Sequence, residues 1–170
     1  MGSGIAQVAA QAGHRVILLD ESPSALENSA KQLCHVADRL VEKGQWTDEF
    51  SDQVQQAIVR TTDWNDLSVA DLVIEAIIED LSAKSDLFIR LESTVSQRTV
   101  LASNTSSLSL TAIAGKLQFP ERFLGLHFFN PAPLMKLVEV VPALQTNPEH
   151  MLAAKRLMID WGKEPVTAKD

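Results

Sequence analysis

Apolar residues in this chain fall into two alternating patterns. Short, almost uninterrupted apolar runs give way to stretches in which apolar residues recur every three or four positions. The run Arg15–Leu19 predicts a strand that ends at Asp20. Ser22-Pro23 then opens a helix, with Ser22 as cap and Pro23 in the first turn. Leu26, Ala30, Leu33, Ala37 and Leu40 form its apolar stripe, and Gly44 stops it. Leu72–Ala76, Thr99–Ser103, Phe123–Phe129 and Leu137–Val141 are further buried-strand candidates. A helix over Ser82–Ser93 turns Leu87 and Leu91 to one face. Asn147-Pro148 caps a last helix with Ala154, Leu157, Met158 and Trp161 inward, Gly162 ends it, and Pro165–Thr167 is a final short strand.

Apolar strands alternating with amphipathic helices predict an α/β fold: a doubly wound, mostly parallel sheet covered on both faces. In such sheets ligands bind at the carboxyl ends of the strands. The residues just after each strand are therefore the first place to look for chemistry.

The opening MGSGIAQVAAQAGHRVILLD places Gly2 and Gly4 before an Ala-rich helix, followed by a Gly13-His14 turn, a strand and an acid. This is the back half of a Rossmann-like dinucleotide site. A first strand with its Gly-x-Gly turn is expected ahead of it and is not among these residues. Glycine lets the helix pack closely, and its first amides and positive end suit a pyrophosphate. Asp20, 18 residues past Gly2, is placed to accept hydrogen bonds from the adenine ribose. Its charge would repel a 2′-phosphate, so NAD is favoured over NADP.

The stretch RFLGLHFFNPAPLMKLVEVV is the richest in chemistry. His127 lies in an apolar run and Glu139 follows 12 residues later between Val138 and Val140. A carboxylate there is costly unless it has a partner. On adjacent strands the two would form an acid–base pair, the carboxylate fixing the imidazole tautomer and stabilising the imidazolium. A satisfied core histidine is the competing reading. Ser103-Asn104-Thr105-Ser106-Ser107 follows the Thr99 strand and reads either as ligand donors or as a helix cap. His14, His35 and His150 fall in a turn, a helix and a helix start, and no His/Cys cluster suggests a metal.

Composition narrows the classes. The chain has 170 residues, 45% of them apolar and 22% charged, enough for one domain with its own core. A net charge of −7 makes nucleic acid a poor partner. The single cysteine, Cys34, reads as a small apolar helix residue; with no disulfide possible, a reducing, cytoplasmic location is expected. No apolar run is long enough to span a membrane.

The segments MGSGIAQVAA, DLVIEAIIED, ASNTSSLSL and GLHFFNPAPLMKLVEVV, in this order, resemble the 3-hydroxyacyl-CoA dehydrogenase family over essentially the whole chain. The resemblance implies a Rossmann-like domain and NAD-dependent interconversion of (S)-3-hydroxyacyl-CoA and 3-oxoacyl-CoA. By position it implies His127 as general base and Glu139 as its partner, with Ser106 and Asn130 beside the substrate. Gly2, Gly4, Asp20, Glu79, Lys84 and Asn104 fall on the cofactor side; without the resemblance, Glu79 and Lys84 would read as a solvated loop and helix start. It also implies a second, helical domain that forms a homodimer, so residues 1–170 are expected to be an NAD-binding domain shortened at both ends and inactive alone. A non-catalytic, lambda-crystallin-like relative and a segment of a multifunctional fatty-acid oxidation protein are the alternatives.

Overall fold

The computed structural model describes residues 1–170. The strands are β1 (Val16–Leu19), β2 (Ile58–Thr61), β3 (Leu72–Glu75), β4 (Val100–Ser103), β5 (Phe123–Phe128), β6 (Leu137–Pro142) and β7 (Glu164–Thr167). The helices are α1 (Gly2–Gln11), α2 (Pro23–Glu42), α3 (Asp48–Ala57), α4 (Leu81–Thr94), α5 (Leu110–Ala114) and α6 (Pro148–Asp160), with a 3-10 turn at Trp64–Val69.

The strands form two sheets. β1 and β2 pair in parallel, while β3-β4-β5-β6-β7 form a five-stranded sheet that is parallel except for the antiparallel pair β5–β6. No ladder joins β1 to β3, so each presents one edge without a strand partner. Beside this gap the four β1 residues and the three apolar residues of β3 are only half-buried, whereas five of the six β5 residues are buried.

Side chains alternate across the sheets as a period of two requires. Leu101, Phe123 and Val73 point to the side covered by α4 and α5; Ala102, Leu124, Leu126 and Ile74 point to the side covered by α1 and α6. β1 follows suit, with Ile17 and Leu19 toward the α4/α5 layer and Val16 and Leu18 toward α2 and α3. Helix α1 bridges the two sheets: Ile5 and Val8 join the core of the larger one, Ala6 and Ala10 that of the smaller. On the opposite side Arg90 of α4 stacks 3.7 Å over Trp64 and approaches Glu21, just past β1, at 3.6 Å. The sheet is thus doubly wound, with a break beside β1.

The expected helices and strands are present. Ser22 caps α2 by accepting from the Ala25 amide, and Gly44 takes a positive φ just beyond that helix. The α4 face differs from expectation: Lys84, Ser85, Phe88 and Leu91 are buried, while Leu87 is only partly so. Cys34 is on α2 but exposed. Residues 45–71 hold a helix and strand that the apolar pattern did not reveal. No helix is long and apolar enough to cross a membrane.

Candidate active site

The register of the antiparallel pair β5–β6 sets His127 directly opposite Glu139. Directly opposed side chains are the closest cross-strand neighbours on a sheet face. The His127 Nδ1–H donates to Glu139 Oε2 at 2.8 Å, leaving Nε2 for other chemistry. Glu139 is partly exposed rather than buried, its side chain keeping 33% of its surface against 17% for His127. The imidazole therefore screens its partner incompletely from water.

His127 opens into a recess of about 320 Å³ at the carboxyl ends of β3, β4 and β5. Glu79, Lys84, Asn104, Ser106 and Asn130 line the same recess, together with Met1 and Ala76. Six residues singled out from the sequence thus meet in one place, with Glu139 supporting them from behind. A larger hollow of about 420 Å³, lined by Gln11, Lys136, Trp161 and Lys163 among others, has no acid–base pair.

The recess is wired by carboxylates. Glu75, at the end of β3, takes Lys84 Nζ and the Ile77 amide on Oε1, both at 2.6 Å, and Ser103 Oγ on Oε2 at 2.6 Å. Lys84 is 1% exposed and reaches Glu79 at 3.3 Å, so it links two carboxylates. Glu79 Oε1 gathers the polar loop after β4. It lies 2.6 Å from Thr105 Oγ1, 2.9 Å from the Ser106 amide and 3.2 Å from Ser106 Oγ, with Ser107 N and Oγ both at 3.3 Å. Burial pushes the Glu79 carboxyl up, but the Thr105 hydroxyl, the Ser106 amide and the Lys84 charge outweigh it and bring its pKa down to about 2. Asn104 Oδ1 accepts from the Phe128 amide at 2.8 Å, which ties β4 to the strand carrying His127.

Glu75 and Ser103 were not found by sequence reasoning as members of this network. The signal existed: Glu75 is an acid ending an apolar run, as Glu139 is an acid within one.

Gly2, Gly4 and Asp20, away from the recess wiring, are more open. Of the six α-helices, only α1 lacks a side-chain hydrogen bond at its N-cap; Ser22, Thr47, Asp80, Ser109 and Asn147 cap the others. With no acid in its first turn either, α1 keeps its leading amides for an anion, which fits a dinucleotide pyrophosphate. A β-carbon on Gly2 would meet only Ala76 Cβ at 3.9 Å, but one on Gly4 would stand 3.3 Å from Pro133 Cδ. The close packing at Gly4 is thus against the loop after β5. Asp20 lies exposed just past β1, and its Oδ1 accepts from the Ser22 amide at 2.9 Å.

The family description "3-hydroxyacyl-CoA dehydrogenase, NAD binding domain" matches residues 1–170. The chain belongs to this family. It is 45% identical to a 3-hydroxyadipyl-CoA dehydrogenase of Escherichia coli over 98% of its length and 35% of that protein's. It is 43% identical to the mitochondrial hydroxyacyl-coenzyme A dehydrogenase of Sus scrofa over its whole length and 56% of that protein's. The crystal structure of a 3-hydroxybutyryl-CoA dehydrogenase from E. coli K12 superposes with a TM-score of 0.98 at 44% identity, covering 99% of this chain and 36% of the other. The chain therefore spans about a third to a half of the relatives it matches. It is an α/β, NAD-binding member of a dehydrogenase family.

Proposed function

We propose that these residues form the NAD-binding, acid–base half of an enzyme that interconverts (S)-3-hydroxyacyl-CoA and 3-oxoacyl-CoA. The observation that carries this reading is the His127–Glu139 pair facing a recess that also holds Ser106 and Asn130. In the oxidative direction His127 Nε2 accepts the proton of the 3-hydroxyl, and Glu139 stabilises the imidazolium that results. NAD, when bound, supplies the acceptor for the hydride from C3. The Ser106 hydroxyl and Asn130 amide hydrogen-bond the substrate oxygen and hold C3 in place. Glu79, Lys84 and Asn104 would border the nicotinamide end, the start of α1 at Gly2 and Gly4 would receive the pyrophosphate, and Asp20 would hold the adenine ribose.

On this reading the acyl-CoA site is completed by a helical domain outside residues 1–170 that also forms a homodimer. A strand ahead of Gly2 fills the break between β1 and β3. The location is a reducing one such as the cytoplasm, and neither nucleic acid nor membrane is a partner.

The test is acetoacetyl-CoA reduction by NADH in a polypeptide that carries residues 1–170 within a chain of the relatives' length. Turnover that vanishes in His127→Ala with NADH affinity kept supports the reading; turnover that survives refutes it. The 170 residues alone are expected to bind NADH weakly, and micromolar binding by calorimetry would refute the need for the added strand.

A further inference from the structure

The polar loop after β4 is gripped a second time, by a residue from the far end of the fold. Asp170 follows β7, yet its carboxylate reaches the first turn of α5. Oδ1 accepts from the Leu110 amide at 2.7 Å; Oδ2 accepts from the Thr111 amide at 2.7 Å and from Ser109 Oγ at 3.2 Å. Ser109 Oγ also accepts from the Ala112 amide at 3.2 Å, so the hydroxyl and the carboxylate cap the same short helix.

Glu79 and Asp170 thereby hold consecutive parts of one segment. Glu79 takes Thr105, Ser106 and Ser107; Asp170 takes Ser109, Leu110 and Thr111. Leu108, the one residue between the grips, donates its amide to Thr105 Oγ1 at 3.0 Å. The segment is rich in N–H and O–H donors, and the acceptors are two carboxylates from distant parts of the chain. Hydrogen bonds to an ionised acceptor are about twice as strong as neutral ones. Burial pushes the Asp170 carboxyl up, but the Thr111, Leu110 and Ser109 donors pull it below the usual carboxylate range, so it is ionised when it makes these bonds.

We infer that Asp170 is a positioning residue for the substrate side of the site: by fixing the start of α5 it sets where the Ser106 loop stands. The chain that leaves β7 and the loop that meets the acyl group then share one anchor. Asp170 touches neither substrate nor cofactor on this view. The inference rests on the reading of Ser106 as a substrate contact, and the experiment separates the two.

Asp170→Ala, Asp170→Asn and Ser106→Ala are made in the full-length polypeptide. KM for acetoacetyl-CoA, KM for NADH, melting temperature and amide exchange at Ser106 and Ser107 are measured. Asp170→Ala should raise the acyl-CoA KM and the two exchange rates about tenfold, the scale of a lost charge-assisted hydrogen bond, with KM for NADH changed less than about twofold. Asp170→Asn, which keeps one acceptor oxygen, should fall between. Unchanged exchange at Ser106 and Ser107 in Asp170→Ala overturns the inference, as does a rise of both KM values together with a lower melting temperature. A silent acyl-CoA KM in Asp170→Ala overturns it when Ser106→Ala does raise that KM. If Ser106→Ala is silent as well while exchange is faster in Asp170→Ala, the anchor stands and the role given to Ser106 falls.

Discussion

Around the recess, Glu79, Lys84, Asn104, Ser106 and His127 each already hold a partner within the protein. At the other end, α1 begins without a side-chain cap and Asp20 stands exposed past β1. On the proposed reading the reaction side is assembled in advance, whereas the nucleotide side offers an uncapped helix start and an exposed carboxylate held only by the Ser22 amide. Acid–base chemistry rewards fixed geometry, because a misplaced base loses rate steeply. Anchoring a pyrophosphate needs mainly free amides and a favourable dipole. Substitutions on the two sides should therefore fail in different currencies, turnover and fold on one side and cofactor choice on the other.

The largest contrast is expected at the pair itself. Glu139→Gln keeps the shape of the side chain but removes the charge that supports the imidazolium. Turnover in the full-length polypeptide should fall roughly 10²–10⁴-fold, the usual range for acid–base assistance. Affinity for NADH, measured by fluorescence titration, should hardly move, and near-normal turnover would break the assignment. Lys84→Met is next. It strands Glu75, which is 4% exposed, beside a second carboxylate. Removing one partner of a buried pair costs about 3–5 kcal/mol, to be read from urea unfolding. Adding Glu75→Gln to Lys84→Met should recover part of that loss, and a double variant no better than the single would show that the charge was not the cause.

Asp20→Ser tests the open side. It should narrow the preference for NADH over NADPH by about tenfold, the scale of hydrogen bonds to a charged group, without altering the unfolding midpoint. A wild-type enzyme that uses both cofactors equally would defeat the role given to Asp20. The smallest effect is the pH response of the serine loop. The Glu79 pKa is lowered from 4.5 to about 2, so its contribution is complete above about 4.5 and disappears as pH falls through about 2. The Ser106 and Ser107 amide resonances should shift with a midpoint near that lower value; a midpoint at an ordinary carboxylate value would mean the five-donor arrangement is not held in solution.

The pattern of apolar runs identified the α/β architecture and six of the seven strands, five of them because a strand covered on both faces reads as an apolar run, and the exposed edge strand β7 only as the short Pro165–Thr167 stretch after Gly162. It did not expose α3 and β2. The segment QWTDEFSDQVQQAIVR passes from helix to strand with no turn residue between them, and its only fully buried apolar residues are Val54 and Ile58, with Trp46, Phe50 and Ala57 partly buried beside them. Thr47 with Asp48 and Glu49 was a readable helix start. The His127–Glu139 pairing was legible because a charge between two valines demands a partner. Lys84 was not, because a lysine in the first turn of a helix is ordinarily solvated. Its burial depends on Glu75, which only the fold brings near. The grip of Asp170 on α5 spans about 60 residues of sequence and left no local pattern at all.

The break beside β1 bears on how residues 1–170 by themselves come apart. No backbone ladder crosses from residues 16–61 to residues 72–167, and the two groups are joined only by side chains and chain: α1, Ile17 and Leu19 against the α4/α5 layer, the Arg90 contacts to Trp64 and Glu21, and one connecting stretch. Val69, in that stretch, is 77% exposed. Regions that lack shared hydrogen bonds can open separately, below the cost of unfolding the whole. Heating should then melt the smaller sheet and α2–α3 first, and a protease should cut near Val69 before it reaches the larger sheet. A strand laid between β1 and β3 would weld the two steps into one.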